Sequence, residues 1–127
     1  MTVPSNLHYT KDHEWADFEN PARVRIGLTD FAQKALGDIV FVELPKINTE
    51  VKSGDMIGEV ESTKSVSEIY SPANGKVIEV NDKLSDTPEL INTSPYTEGW
   101  VCVLDCGNSD GTDGLLSSDE YSSLIQD

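Results

Sequence analysis

Met56-Ile57-Gly58-Glu59-Val60 and Val66-Ser67-Glu68-Ile69-Tyr70 are two short apolar stretches separated by five polar residues, Glu61-Ser62-Thr63-Lys64-Ser65. Two such stretches around a polar tip read as a β-hairpin. The hairpin would hold Lys64 out in solvent, with Glu61 and Glu68 on either side. On physics alone an exposed hairpin lysine is simply solvated. The alternative is an attachment point. A group that visits several enzymes should hang from a long, flexible side chain on a rigid tip. Lysine supplies that reach and an amine that forms a stable amide. The flanking carboxylates would then serve as recognition charges.

Outward from the hairpin the pattern repeats. Residues 23–28, 39–44, 76–80 and 100–104 are further short apolar or alternating runs. Turn signals separate them, among them Glu19-Asn20-Pro21, Ser53-Gly54-Asp55 and Ser71-Pro72-Ala73-Asn74-Gly75. Many short strands at this spacing predict a mainly β, small antiparallel sandwich or barrel. Residues 54–60 and 75–80 resemble each other with one gap, which predicts two similar hairpin halves about a pseudo-two-fold axis.

Two helices interrupt the strands. One is predicted near 30–36, with Thr29 as its cap, Asp30 at the positive end of its dipole and Gly37 closing it. The other is predicted near 118–125, where Ser117 and Glu120 have capping-box spacing. Leu115, Leu116, Tyr121, Leu124 and Ile125 give the second an apolar side. Residues 107–114 read as a polar linker before it. The whole chain, 1–127, reads as one domain with this C-terminal helical extension.

The charge is lopsided. Against 23 acidic residues stand 9 basic ones, a net charge of −14, and every Lys and Arg lies before residue 84. A field of that sign repels phosphate backbones, so no nucleic-acid partner is expected. It favours docking to proteins with basic surfaces, or simply keeps a small monomer soluble. No apolar run is long enough to cross a bilayer, so no membrane role is expected. Residues 1–6 resemble neither a secretory signal nor an Arg-rich transit peptide, which makes the cytoplasm the expected compartment. Cys102 and Cys106 are too few for a closed zinc site. Cys102 alternates with Trp100 and Leu104 as an ordinary core position would, and a disulfide is not expected in a reducing compartment. No serine-histidine-aspartate set, phosphate loop or metal-ligand spacing is present, so no enzyme is expected.

Taken in order, several motifs resemble one family. They are His13-Glu14-Trp15, Gly27-Leu28-Thr29-Asp30-Phe31-Ala32-Gln33, and Leu36-Gly37-Asp38-Ile39-Val40-Phe41-Val42-Glu43-Leu44-Pro45. Glu61-Ser62-Thr63-Lys64, Tyr70-Ser71-Pro72, Gly75-Lys76-Val77-Ile78-Glu79-Val80-Asn81, Leu90-Ile91-Asn92-Thr93-Ser94-Pro95-Tyr96 and Gly99-Trp100 complete the series. Each alone is weak, but their order and spacing are specific. Over residues 7–125 the chain resembles the H proteins of the glycine cleavage system.

The resemblance implies a barrel-sandwich hybrid of the lipoyl- and biotinyl-carrier kind, with the modified lysine on an exposed hairpin. It implies lipoic acid, amide-linked to Lys64, as a covalent cofactor. It also implies four partners. A lipoyl ligase or transferase attaches the cofactor, and a pyridoxal-phosphate glycine decarboxylase loads the aminomethyl group. A tetrahydrofolate-dependent aminomethyltransferase unloads it, and dihydrolipoyl dehydrogenase reoxidises the dithiol. The carrier catalyses none of these steps; it supplies effective concentration. A processed eukaryotic member would sit in the mitochondrial matrix.

Residue by residue, the resemblance makes Glu61 and Glu68 ligase-recognition positions. It places Glu14 in a cleft that receives the charged aminomethyl group, with His13 in the same wall. From the residues alone, Glu14 would be an exposed strand-end carboxylate, Trp15 a core residue, and His8 and His13 surface or capping residues. The chain departs from the family's common pattern at four positions. Thr63 and Ser65 replace valine and alanine, Asn48 takes a turn position often held by glycine, and Ala35 stands where some members have histidine. Three rivals share the chemistry. A lipoyl domain of a 2-oxoacid dehydrogenase usually carries an Asp-Lys-Ala tip. A biotin carrier has methionine on both sides of its lysine. An H-like lipoyl relay protein would look the same.

Overall fold

The computed structural model describes residues 2–107, 112 and 114–126. Among these, nine strands and four helices form. The strands β1 (His8–Tyr9), β2 (Glu14–Asp17), β3 (Val24–Leu28), β9 (Cys102–Asp105), β8 (Gly75–Val80) and β5 (Glu50–Val51) lie side by side in that order as one sheet. A second sheet has the order β4 (Ile39–Glu43), β6 (Met56–Ser62), β7 (Val66–Tyr70). Every pairing is antiparallel.

The period of two, reset by irregularities between Ile39 and Phe41 and between Met56 and Gly58, decides which residues meet. Ile39, Val42, Ile57, Val60 and Ile69 point inward from the small sheet, and Val24, Ile26, Leu28, Val77, Cys102 and Leu104 complete the same core from the large one. Burial of each large aliphatic is worth roughly 1.5–3 kcal/mol, so this core dominates stability. The result is the mainly β, antiparallel two-sheet architecture that the strand pattern predicts, consistent with the barrel-sandwich hybrid that the resemblance implies.

A second apolar cluster, Leu7, Tyr9, Trp15 and Tyr121, holds the C-terminus. Tyr9 stacks on Tyr121 with ring centroids 4.7 Å apart. Tyr9 and Leu116 exchange backbone hydrogen bonds of 2.8 and 2.7 Å. The predicted helices form where expected. In α1 (Asp30–Leu36) the Thr29 side chain accepts from Ala32 N and Gly37 closes the helix at φ 83°. In α4 (Ser118–Ile125) Ser117 and Glu120 make both bonds of the capping box.

Other expectations change. Strands β1, β2 and β5 and the one-turn helices α2 (Lys83–Asp86) and α3 (Leu90–Thr93) have two to four residues, too few to show a period. Trp100 lies outside β9, its ring beneath the Arg25 guanidinium at 4.9 Å. In β9 three consecutive residues, Cys102, Val103 and Leu104, are buried, as befits a central strand flanked by β3 and β8. The internal repeat does not build two equal hairpins. β6 pairs with β7, whereas β8 sits in the other sheet between β5 and β9. The predicted linker falls largely outside the described residues.

Asn48 adopts φ 75°, the left-handed turn geometry expected for it. Both cysteines are buried, and neither forms a disulfide among the described residues. Burial pushes the Cys102 thiol up to about 12 and the Cys106 thiol to about 11. No helix among the described residues is long and apolar enough to cross a membrane.

Candidate functional site

Strand pairing carries β6 and β7 to a tip of three residues, Thr63-Lys64-Ser65, shorter than the five-residue tip read from polarity. Glu61 and Ser62 belong to β6. Ser62 organises the turn. Its backbone N–H donates to Ser65 O at 2.8 Å, and its Oγ accepts from the N–H groups of Lys64 and Ser65, both at 3.1 Å. A short hydroxyl side chain folded onto its own turn gives the tip a fixed backbone. The next anchor lies across the fold, where Thr63 N donates to Asp38 O at 3.1 Å.

Lys64 leaves this fixed tip exposed, and among the described residues it makes no ion pair. Its stem lies across Gly37: a Cβ on that glycine would sit 3.1 Å from Lys64 Cε. Glycine at this position serves twice, adopting φ 83° to end α1 and leaving room for the lysine stem. Asn92 braces the same bend. Its Nδ2 donates to Gly37 O at 2.9 Å and to Gln33 Oε1 at 3.0 Å, and its Oδ1 accepts from Ile39 N at 2.9 Å. Ser62, Asp38 and Asn92 support the tip, and residue type alone marked none of them. Ser62 acts within its own turn, whereas contacts across the fold disclose the work of Asp38 and Asn92.

Glu61 and Glu68 both lie exposed on the outer face of the small sheet. Glu61 occupies the row next to the tip, opposite Phe41 and Val66. Glu68 is one row further along, and its Oε2 accepts from Tyr70 Oη at 2.7 Å.

Glu14 is not the exposed strand-end carboxylate of the residue-level reading. It is 2% exposed. β2 places it at the wall of a cavity of about 310 Å³, which Thr10, Lys11, Asp12, Tyr70, Ser71 and Leu116 also line. Its Oε1 accepts from Thr10 Oγ1 at 2.6 Å and its Oε2 from Tyr70 N at 3.2 Å. Burial pushes its carboxyl up to about 7, against the pull of those two bonds, and Asp12 adds slightly to the rise. No cation pairs with it among the described residues. Tyr70 ends the strand that begins two residues after Lys64, so Glu14 lies about one strand length, roughly 13 Å, from the start of β7.

His13 does not share that cavity. It borders a separate one with Lys11, Phe31, Leu124 and Ile125. Its backbone is left-handed, at φ 71°, so consecutive side chains diverge. Its ring lies 4.6 Å from that of Phe31, and burial pushes its imidazole below the usual range. His8 meets Phe18 edge-on, with a buried Nδ1 that has no hydrogen-bond partner among the described residues. Trp15 is core, 1% exposed, and donates to Pro95 O.

His13 Nδ1 meets Tyr121 Oη at 2.8 Å, and Tyr121 Oη meets Thr29 Oγ1 at 2.7 Å. One phenol therefore ties α4 to the residue just before β2 and to the cap of α1. Tyr121→Phe keeps the ring stack and strips both bonds. It is expected to lower stability by about 1–2 kcal/mol, read by urea titration. An unchanged midpoint would show that the phenol bridge contributes nothing.

The glycine cleavage H-protein family profile matches residues 7–127. The chain is 50% identical over 127 residues to the glycine cleavage system H protein of Oceanobacillus iheyensis, covering 100% of both chains. It is 49% identical over 125 residues to that of Staphylococcus haemolyticus, covering 98% of each. A crystal structure of a glycine cleavage system H protein from Mycobacterium marinum matches with a TM-score of 0.87 at 40% identity, over 95% of this chain and 97% of that one.

Proposed function

The chain belongs to the glycine cleavage H-protein family, and from that premise we propose that Lys64 is the residue through which it carries a lipoyl group for the glycine cleavage system. The observation that carries the assignment is the tip itself. Lys64 is exposed and makes no ion pair among the described residues, on a backbone fixed by Ser62 and Asp38. Bound there, the group would supply a disulfide open to thiol exchange and a sulfur able to bear the aminomethyl group.

The chain's own residues do the rest. Lys64 Nζ holds the amide. The Ser62 turn and the Asn92-braced bend keep its origin fixed, so the arm sweeps a defined volume and reaches each enzyme at high effective concentration. Glu14 offers a buried carboxylate with two neutral donors and, among the described residues, no ion pair, which suits a positively charged amine. Glu61 and Glu68 present charge beside the tip to the enzyme that modifies Lys64. No reaction is assigned to the chain itself. Its partners in this reading are the pyridoxal-phosphate glycine decarboxylase, the aminomethyltransferase, dihydrolipoyl dehydrogenase and a lipoyl ligase or transferase, in the bacterial cytoplasm. Residues 1–127 act as one carrier domain with α4 as its extension.

The test is the intact mass of protein purified from its own cells, with peptide mapping. A single lipoyl increment on Lys64 is expected. A biotin increment would move the chain to the carboxylase carriers. An unmodified Lys64 in cells that make lipoate, or an increment on Lys11, Lys46 or Lys52, would overturn the assignment.

A further inference from the structure

The turn between β1 and β2 is built around one hydroxyl. Its backbone closes without help: Thr10 N donates to Glu14 O at 3.0 Å, and His13 N donates to Thr10 O at 3.1 Å. The Thr10 side chain folds into the same loop, where its Oγ1 lies 3.1 Å from Glu14 N and 2.6 Å from Glu14 Oε1. The first contact fixes the sense of the second. A backbone N–H only donates, so Glu14 N occupies a lone pair of the hydroxyl. The hydroxyl has one proton, and its acceptor among the described residues is Glu14 Oε1. On the other carboxylate oxygen, Tyr70 N is likewise a donor only.

An ionised Glu14 satisfies every group in this set. A protonated one does not. With its proton on Oε1, the Thr10 hydroxyl hydrogen loses its acceptor; with its proton on Oε2, the acceptor of Tyr70 N is weakened. Burial works the other way and raises the carboxyl to about 7, and the Thr10 bond is the largest pull against that rise. The other charged or titratable groups around Glu14 come from three elements. Lys11 and Asp12 belong to the same turn, Tyr70 to β7 and Tyr121 to α4. The bond to Glu68 raises the Tyr70 phenol and burial raises that of Tyr121 to about 12, so neither phenol ionises near neutrality.

Resting on the carrier reading, we propose that Thr10 is a positioning residue for aminomethyl transfer: its hydroxyl, locked as a donor by the amide of Glu14, keeps that carboxylate ionised and oriented for the charged amine. Thr10 acts through Glu14 and makes no bond to the cargo itself. A carboxylate held by two donors keeps lone pairs for a third, charged donor, and that bond is the strong one.

The test compares Thr10→Val, Thr10→Ala and Thr10→Ser with the wild type. Valine keeps the branched shape and the backbone bonds of the turn but removes the hydroxyl, alanine removes it with less bulk, and serine restores it. Carbon-13 NMR of the glutamate carboxyls follows Glu14 in the unmodified chains. Loss of a hydrogen bond to a charged acceptor should raise the Glu14 midpoint in Thr10→Val and Thr10→Ala by about one pH unit. From a starting value of about 7, the ionised share near pH 7 then falls about fivefold. Lipoyl-loaded chains in reconstituted glycine cleavage should slow by the same factor near pH 7 and match the wild type near pH 9, about two units above the wild-type midpoint. Serine should restore both the midpoint and the rate.

An unmoved midpoint in an active, lipoyl-loaded protein would overturn the proposal alone. So would a loss of rate that is equal at both pH values, which would leave Thr10 a turn residue and nothing more. A moved midpoint with wild-type cleavage throughout would overturn it as well, and would remove Glu14 from the carrier reading. A wild-type chain that takes up no lipoyl group would sink the carrier reading and the proposal together.

Discussion

Lys64→Arg is expected to fold as the wild type does and to lose lipoyl attachment and glycine cleavage completely. The two halves of that expectation have different origins. The fold is indifferent because Lys64 is exposed, makes no ion pair among the described residues and touches the bend at Gly37 only with its stem. An arginine stem can lie over the same glycine, and the turn bonds made by Ser62 use backbone N–H groups that the substitution leaves alone. Stability should stay within about 0.5 kcal/mol of wild type. The chemistry is lost because a guanidinium stays protonated under all working conditions and does not form the amide. Equilibrium unfolding, intact mass and reconstituted glycine cleavage are the measurements. Full cleavage activity from the Arg protein would show that the cargo is held elsewhere.

The hairpin that carries this prediction was legible because its signals are local. Two apolar stretches around a polar tip need only the strand period. The helix ends at Thr29, Gly37 and Ser117 likewise depend on neighbours in sequence. What could not be read is what the fold assembles from afar. Asp38 and Asn92 reach the tip only because β4 and α3 are folded against it. Glu14 was the plainest misreading from residue type. In β2 three consecutive residues, Glu14, Trp15 and Ala16, are buried, so no alternation marks an inward face. The family resemblance singled out Glu14 where periodicity could not. It also grouped His13 with it, and the left-handed backbone at His13 separates the two.

Glu14→Gln is expected to stabilise the protein above neutral pH while impairing its work. Burial raises this carboxyl from an ordinary 4.5 to about 7. A raised pKa means that the folded state holds the proton more tightly than the unfolded chain does. The associated stability is complete below about pH 4.5, falls as pH rises from 4.5 to 7, and is gone above 7. Over that window the wild type loses on the order of 3 kcal/mol through Glu14. Glutamine does not titrate. Its oxygen can still accept from Tyr70 N, and its amide can donate to Thr10 Oγ1. The stability curves should therefore run close together near pH 4.5 and separate in favour of Gln by pH 8. Urea titrations across that range give the comparison, and parallel curves would show that Glu14 is not the titrating group. The functional cost has the opposite sign. A neutral amide in place of the carboxylate forfeits the charge-assisted bond to a cationic amine, so glycine cleavage should slow by roughly tenfold or more while ligase loading of Lys64 is unaffected. A stabler protein with wild-type cleavage would separate the buried acid from the reaction. A stabler, slower one would mean that Glu14 is kept ionisable at the expense of the fold because the cargo it meets is a cation.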